Sequence, residues 1–276
     1  MKREPLFYKT ASHNLILIHH LRKVTERLKK RGPEVIFFRG ISLLGDVYPE
    51  LGDRGMLDVD ILVRERDLGQ LKRVVRRLGW GETKPGVFYR NGFSLDVHTS
   101  FLTPIRTALA NACLTVSMDE VFQRGITKQL DAIEIKIPCP EHIFISTAIH
   151  LQSHSFGSEK GWEDLIRIQK YYGLSDETIR AEAKRMGAEH TLAYLTFLRP
   201  NPFPAWRGNL SGGERWILKR IKKGTVNQNF GDLLFLFQSQ GKVKALKEIF
   251  FPQGISFRII GNRALKCLKL LKDMIA

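Results

Sequence analysis

The chain has 276 residues, with 44 Lys and Arg against 28 Asp and Glu, a formal net charge of +16. Apolar residues make up 43%, enough to bury a sizeable core, so a disordered chain is excluded. Three scattered cysteines, Cys113, Cys139 and Cys267, with no C-x-x-C pair, exclude a disulfide scaffold and point to a reducing, cytoplasmic setting.

Residues 13–30 place Leu17, Leu21, Val24 and Leu28 on one helical face, with Ser12 as the expected N-cap. The nearly all-apolar run 34–39 is an expected buried strand. A helix over 41–48, stopped by Pro49, comes next. Residues 57–63 (LDVDILV) form a second buried strand that carries two carboxylates. A basic amphipathic helix over 67–78 turns Lys72, Arg73, Arg76 and Arg77 outward. Within 88–98, Asn91-Gly92 marks a hairpin with a type I′ turn. A helix over 103–113 and a half-exposed strand over 133–137 complete the first part. Beyond Pro140 the periodicity becomes helical, over 141–154, 162–172, 175–186 and 188–198. A Pro-rich loop at 200–204 precedes helices expected at 212–223, 241–249 and 258–275.

The expected fold is therefore α+β, with an α/β-type mixed sheet in a domain of residues 1–137 and a mainly helical domain over 138–276. Residues 1–137 hold 23 basic and 16 acidic side chains, residues 138–214 hold 8 and 9, and residues 215–276 hold 13 and 3. The positive excess is concentrated at the C-terminal end, where contact with an anionic surface is expected, against the alternative of a solvated basic face. No run approaches about 18 apolar residues, so no transmembrane segment is expected. The apolar run 15–18 is too short for a signal-peptide core, which again favours a cytoplasmic protein.

Asp58 and Asp60 stand at i and i+2 of a strand and so point to one face. Two ionised carboxylates side by side in an apolar strand repel, and a bound divalent cation would relieve both the repulsion and the cost of burial. Asp96 lies in a second apolar strand, 93–98, and the three acids converge if the strands are neighbours. Two Mg²⁺ or Mn²⁺ ions held there would activate an attacking hydroxyl and stabilise a leaving pyrophosphate. The alternative is that these are strand-end carboxylates paired with Arg39, Arg54 or Arg64.

Residues 38–49 (FRGISLLGDVYP), Arg54, the Asp58-x-Asp60 strand and Leu95-Asp-Val-His98 together resemble the nucleotidyltransferase fold of the DNA polymerase β superfamily, in particular its bacterial branch of uncharacterised nucleotidyltransferase-like proteins. The resemblance is good over 34–98 and moderate over 141–172, where a His-rich helix precedes Trp162 and Asp164. It implies transfer of an NMP from an NTP to a hydroxyl acceptor, with release of pyrophosphate. The acceptor would be a small molecule, a protein or a nucleic acid. Asp58, Asp60 and Asp96 would be metal ligands, with Asp96 alternatively the base. Gly40 would let backbone approach the nucleotide phosphates, Ser42 would bind a phosphate oxygen, and Arg39 and Arg54 would neutralise phosphate charge, unless these arginines are ion-paired instead. Many superfamily members have Gly-Ser directly after the first strand, whereas here the order is Gly40-Ile41-Ser42. A non-catalytic phosphate- or nucleic-acid-binding module on the same fold is the alternative function.

Three further signals have simpler explanations. His150 and His154 are at i and i+4 of a helix, but no third zinc ligand accompanies them, so packing or hydrogen bonding is expected. Residues 210–214 (LSGGE) mimic an ABC signature, yet the chain has no G-x-x-x-x-G-K-[ST] loop, and Ser211 with Glu214 forms a capping box instead. The basic amphipathic segment 257–276 is expected to pack its apolar side on the protein.

Overall fold

The computed structural model describes residues 4–101, 114, 116–201, 203, 206, 208–224 and 230–238. Its first element is a 27-residue helix, α1 (Pro5–Arg31), with Pro5 in the first turn, three basic residues in the last turn, and Gly32 closing it onto the Leu28 carbonyl. Leu17, Ile18, Leu21, Val24 and Leu28 form its buried stripe. Ser12 lies inside this helix rather than capping it.

Five strands form one sheet in the order β1-β2-β5-β4-β3: β1 (Val35–Phe38), β2 (Asp58–Val63), β3 (Gly81–Lys84), β4 (Val87–Arg90) and β5 (Phe93–His98). Within this sheet, as far as the described residues go, β2 and β5 run parallel and the other pairs are antiparallel. The β4–β5 hairpin turns at Asn91 and Gly92, both with positive φ (49° and 89°), as the type I′ turn requires. Helix α2 (Gly40–Leu43) is only four residues long, so the expected helix over 41–48 is corrected. A buried lysine, Lys128, explains the early stop: its Nζ donates to the Ser42 and Leu44 carbonyls (3.2 and 2.5 Å) and to Asp46 Oδ2 (2.9 Å). Those carbonyls are turned to the ammonium rather than to a continuing helix.

Helix α3 (Leu68–Arg77) buries Leu71, Val74 and Val75 as its pattern implies. Its Lys72 and Arg76 both pair with Glu82. Helix α4 (Met118–Arg124) and a two-stranded ribbon, β6 (Ile126–Leu130) with β7 (Ile133–Ile137), follow. The helical part comprises α5 (Pro140–Ser153), α6 (Glu159–Tyr172), α7 (Asp176–Met186), α8 (Glu189–Leu198), α9 (Gly212–Lys222) and α10 (Phe230–Gln238). Ser158, Ser175 and Ser211 cap α6, α7 and α9 through their hydroxyls, the last as a full capping box with Glu214. The helices expected at 103–113, 241–249 and 258–275 lie outside the described residues. Among the described residues no helix is long and apolar enough to cross a membrane. The chain is thus mixed α+β, a sheet with helices followed by a helical region.

Candidate active site

The register of the parallel pair builds the site. Asp60 stands opposite Asp96, Asp58 opposite Ser94, and Leu62 opposite His98. Alternation along each strand then puts Asp58, Asp60, Ser94, Asp96 and His98 on one face. Burial increases along β2 from exposed Asp58 to Asp60, which is 5% exposed.

Asp60 is held by two donors on one oxygen. Arg39 Nη1 and His98 Nε2 each lie 2.7 Å from its Oδ1. Burial pushes this carboxyl up, but the Arg39 charge and the His98 hydrogen bond outweigh it and hold Asp60 below the usual carboxylate range. Asp60 is therefore ionised, and His98 carries its proton on Nε2. The His98 ring is in turn set edge-on against Phe38, at 5.2 Å between centroids. Asp58 moves the other way: although part of the residue reaches solvent, the desolvation of its carboxyl, then repulsion from Asp60 and Asp96, raises it. Ser94 orients Asp96 by donating to Oδ1 at 2.6 Å.

Arg39 itself is twisted to φ 57°, ψ −130°, a backbone conformation that favours glycine. Such strain costs about 1–3 kcal/mol and collects at functional sites. Here it brings the guanidinium round to Asp60 directly before Gly40. Ser42 is fully buried, and its hydroxyl donates to the Arg39 carbonyl at 2.7 Å.

Arg54 makes a two-pronged ion pair with Asp164 of α6, Nε to Oδ1 at 2.9 Å and Nη2 to Oδ2 at 2.8 Å. Tyr48 donates its hydroxyl to the same Oδ1 at 2.8 Å. Lys160, one turn before Asp164, donates to the Gly55 carbonyl. Burial and then Arg54 lower the Lys160 ammonium, while Asp164 and Asp58 oppose them. His150 on α5 feels the Arg39–Asp60 pair instead: burial, then Arg39 and His154, hold its imidazole down to about 3, against the pull of Asp60. The rings of His150 and His154 lie 4.6 Å apart.

The sequence pattern singled out the three acids, Arg39, Gly40, Ser42 and Arg54, and the strands bring the acids together. It gave no role to Tyr48, Lys128 or Lys160, and left His98 and Asp164 only as parts of the resemblance. His98 was visible in principle at i+2 of Asp96, and Lys160 and Asp164 share a helix face at i and i+4.

The donor chemistry fits a hard divalent cation, since three carboxylates share one face and Asp58 is raised by desolvation and then by like charge, both of which a cation would relieve. Among the described residues, however, no group of three or more His, Cys, Asp or Glu is arranged to hold a metal ion. The Arg39 guanidinium and His98 stand on Asp60 in that arrangement.

The family described as "Uncharacterised nucleotidyltransferase" matches residues 6–204. Among solved structures, the antibiotic-resistance factor ANT(2'')-Ia is similar, at 11% identity and a TM-score of 0.44, over 62% of this chain and 91% of that chain. No curated protein matches the chain.

Proposed function

The chain belongs to the uncharacterised nucleotidyltransferase family, and from that premise we propose that it moves an NMP from an NTP to a hydroxyl acceptor with release of pyrophosphate. The observation that carries this reading is the row Asp58, Asp60 and Asp96 on one face of β2 and β5, with Arg39, Arg54 and Lys160 around it. Acids gathered where cations flank them suit a triphosphate, whose charge needs both a metal and basic side chains.

Mg²⁺ or Mn²⁺, two ions in the full reading, would be held by Asp58, Asp60 and Asp96 and would lower the charge barrier to displacement at phosphorus. The protein's own groups have separable tasks. Asp60 stays ionised because Arg39 and His98 hold it so. Asp96, fixed by Ser94 on one oxygen, has its other oxygen to take a proton from the acceptor hydroxyl. Arg39, Gly40 and Arg54 form the wall for the phosphates, and Ser42 supports that wall from within by tying its hydroxyl to Arg39.

Isothermal titration with the four NTPs and Mg²⁺, followed by a pyrophosphate-release assay over hydroxylated acceptors, tests the proposal. Binding that needs Mg²⁺ and disappears in Asp58→Asn is expected. Binding that ignores both Mg²⁺ and Asp58 overturns it in favour of the second reading, a non-catalytic phosphate- or nucleic-acid-binding module. The Arg39–Asp60 ion pair favours that second reading, because an internal cation already neutralises one of the acids. The basic segment 215–276 is the proposed contact for an anionic surface, and such affinity would fall steeply with salt.

A further inference from the structure

Arg54 is an unusual buried cation. Its side chain is only 10% exposed, and the Asp164 fork uses one edge of the guanidinium, Nε and Nη2. Nη1 faces Gly40: a Cβ on that glycine would lie 2.5 Å from it. Among the described residues no acceptor meets Nη1. That edge is not sealed from solvent, since Nη1 is not among the buried atoms left without a partner, so it is open to an incoming anion, and a phosphate oxygen is the acceptor it fits.

The pose is fixed from three sides. Asn14 of α1, fully buried, donates to the carbonyls of Leu51 and Arg54 (2.7 and 2.8 Å) and so anchors the backbone. Asp164 holds the side chain, and Tyr48 holds Asp164. Lys160 ties α6 to the next residue, Gly55. An arginine needed only to neutralise Asp164 would not require a glycine beneath its free nitrogen.

We propose that Asp164 and Tyr48 are positioning residues that hold Arg54 over Gly40 as the docking point for the phosphate tail of an NTP. The helical region, through α6, thereby makes the site distinguish a triphosphate from a monophosphate. This rests on the nucleotidyl-transfer reading above and adds to it a source of selectivity outside the sheet.

The test is titration of the full chain with ATP, GTP, CTP and UTP and with the matching monophosphates, in Ca²⁺ to hold back turnover. Asp164→Asn frees the guanidinium from its fork. It is expected to weaken the NTP by about tenfold and the monophosphate by less than about twofold. Gly40→Ala displaces Arg54 from the opposite side, without touching the ion pair's carboxylate, and is expected to give the same selective loss. It keeps the test decisive if Asp164→Asn fails to fold. Equal losses for tri- and monophosphate, or no loss in Gly40→Ala, overturn the inference alone. Failure of the unaltered chain to bind any of the four NTPs overturns it together with the proposed function.

Discussion

Two aspartates two residues apart on one strand have opposite electrostatic histories. Asp60 is held down by Arg39 and His98. Its contribution to stability is complete above the ordinary value of 3.8 and is lost as pH falls through its lower folded value. Asp58 is raised by burial and by its acidic neighbours, so it costs stability progressively as pH rises from the ordinary 3.8 through its higher folded value. The two Asn variants should therefore part company. Asp60→Asn leaves Arg39 without its carboxylate in a buried position and is expected to cost about 3 kcal/mol. Asp58→Asn removes repulsion and is expected to leave the melting temperature unchanged or higher. Both should lose Mg²⁺-dependent NTP binding. Thermal melts at pH 7 beside the titrations check this, and a lower melting temperature for Asp58→Asn than for Asp60→Asn would contradict the assignment of roles. Asp58 is thus an acid kept for binding, whereas Asp60 also holds the fold together.

Elements in the helical region are joined by a second charged group, remote from the sheet. Glu214, in the capping box of α9, accepts from Tyr194 and pairs with His190 of α8 at 2.7 Å. Burial pushes Glu214 up, but His190, Tyr194 and Ser211 together hold it down to about 2, and the hydrogen bond to Glu214 raises His190. Each partner sets one limit. The Glu214 contribution is lost as pH falls from its ordinary 4.5 towards about 2. The His190 contribution is full below its ordinary 6.5 and is lost as pH rises through its elevated folded value. The α8–α9 contact is therefore firmest between 4.5 and 6.5. Urea midpoints at pH 5.5 and 8.5 should show the chain weaker at the higher value, with His190→Gln flattening the difference; an unchanged slope in that variant would refute it. The capping box was legible in Ser211-x-x-Glu214, but the histidine 24 residues upstream was not. The same limit explains the elements that sequence reading missed. Strand β3 (GETK) is exposed over most of its length and offers no apolar alternation. Strand β6 places Lys128 on its buried side, which breaks the period of two. The Asp58-x-Asp60 and Asp96 signals survived because each lies within a single strand, whereas Asp164 reaches Arg54 across 110 residues.

For the whole molecule, the division at 137/138 stands as a proposal, and the structure supplies the forces that bear on it. One continuous cluster of buried apolar side chains runs from Leu17 to Phe235. Polar links cross the same boundary: Arg54 and Tyr48 to Asp164, and Arg124 to Glu141 and Glu182. Glu182 is held down to about 2, since burial is outweighed by hydrogen bonds from His142, Arg185 and Arg124, so the boundary is crossed by ionised, well-paired groups as well as by packing. Separating the parts would expose apolar faces on both and break the pairings of Arg54, Asp164 and Glu182, and the exposed apolar surface is costly for each fragment. Scanning calorimetry of the full chain is therefore expected to show one transition, with calorimetric and van't Hoff enthalpies in agreement. A fragment of residues 1–137 is expected to give no cooperative melt and no NTP binding, even though it carries Asp58, Asp60, Asp96 and Arg39. Two resolved transitions, or a folded 1–137 fragment that binds NTP with full affinity, would mean that the sheet holds the site alone and that α6 contributes nothing to it.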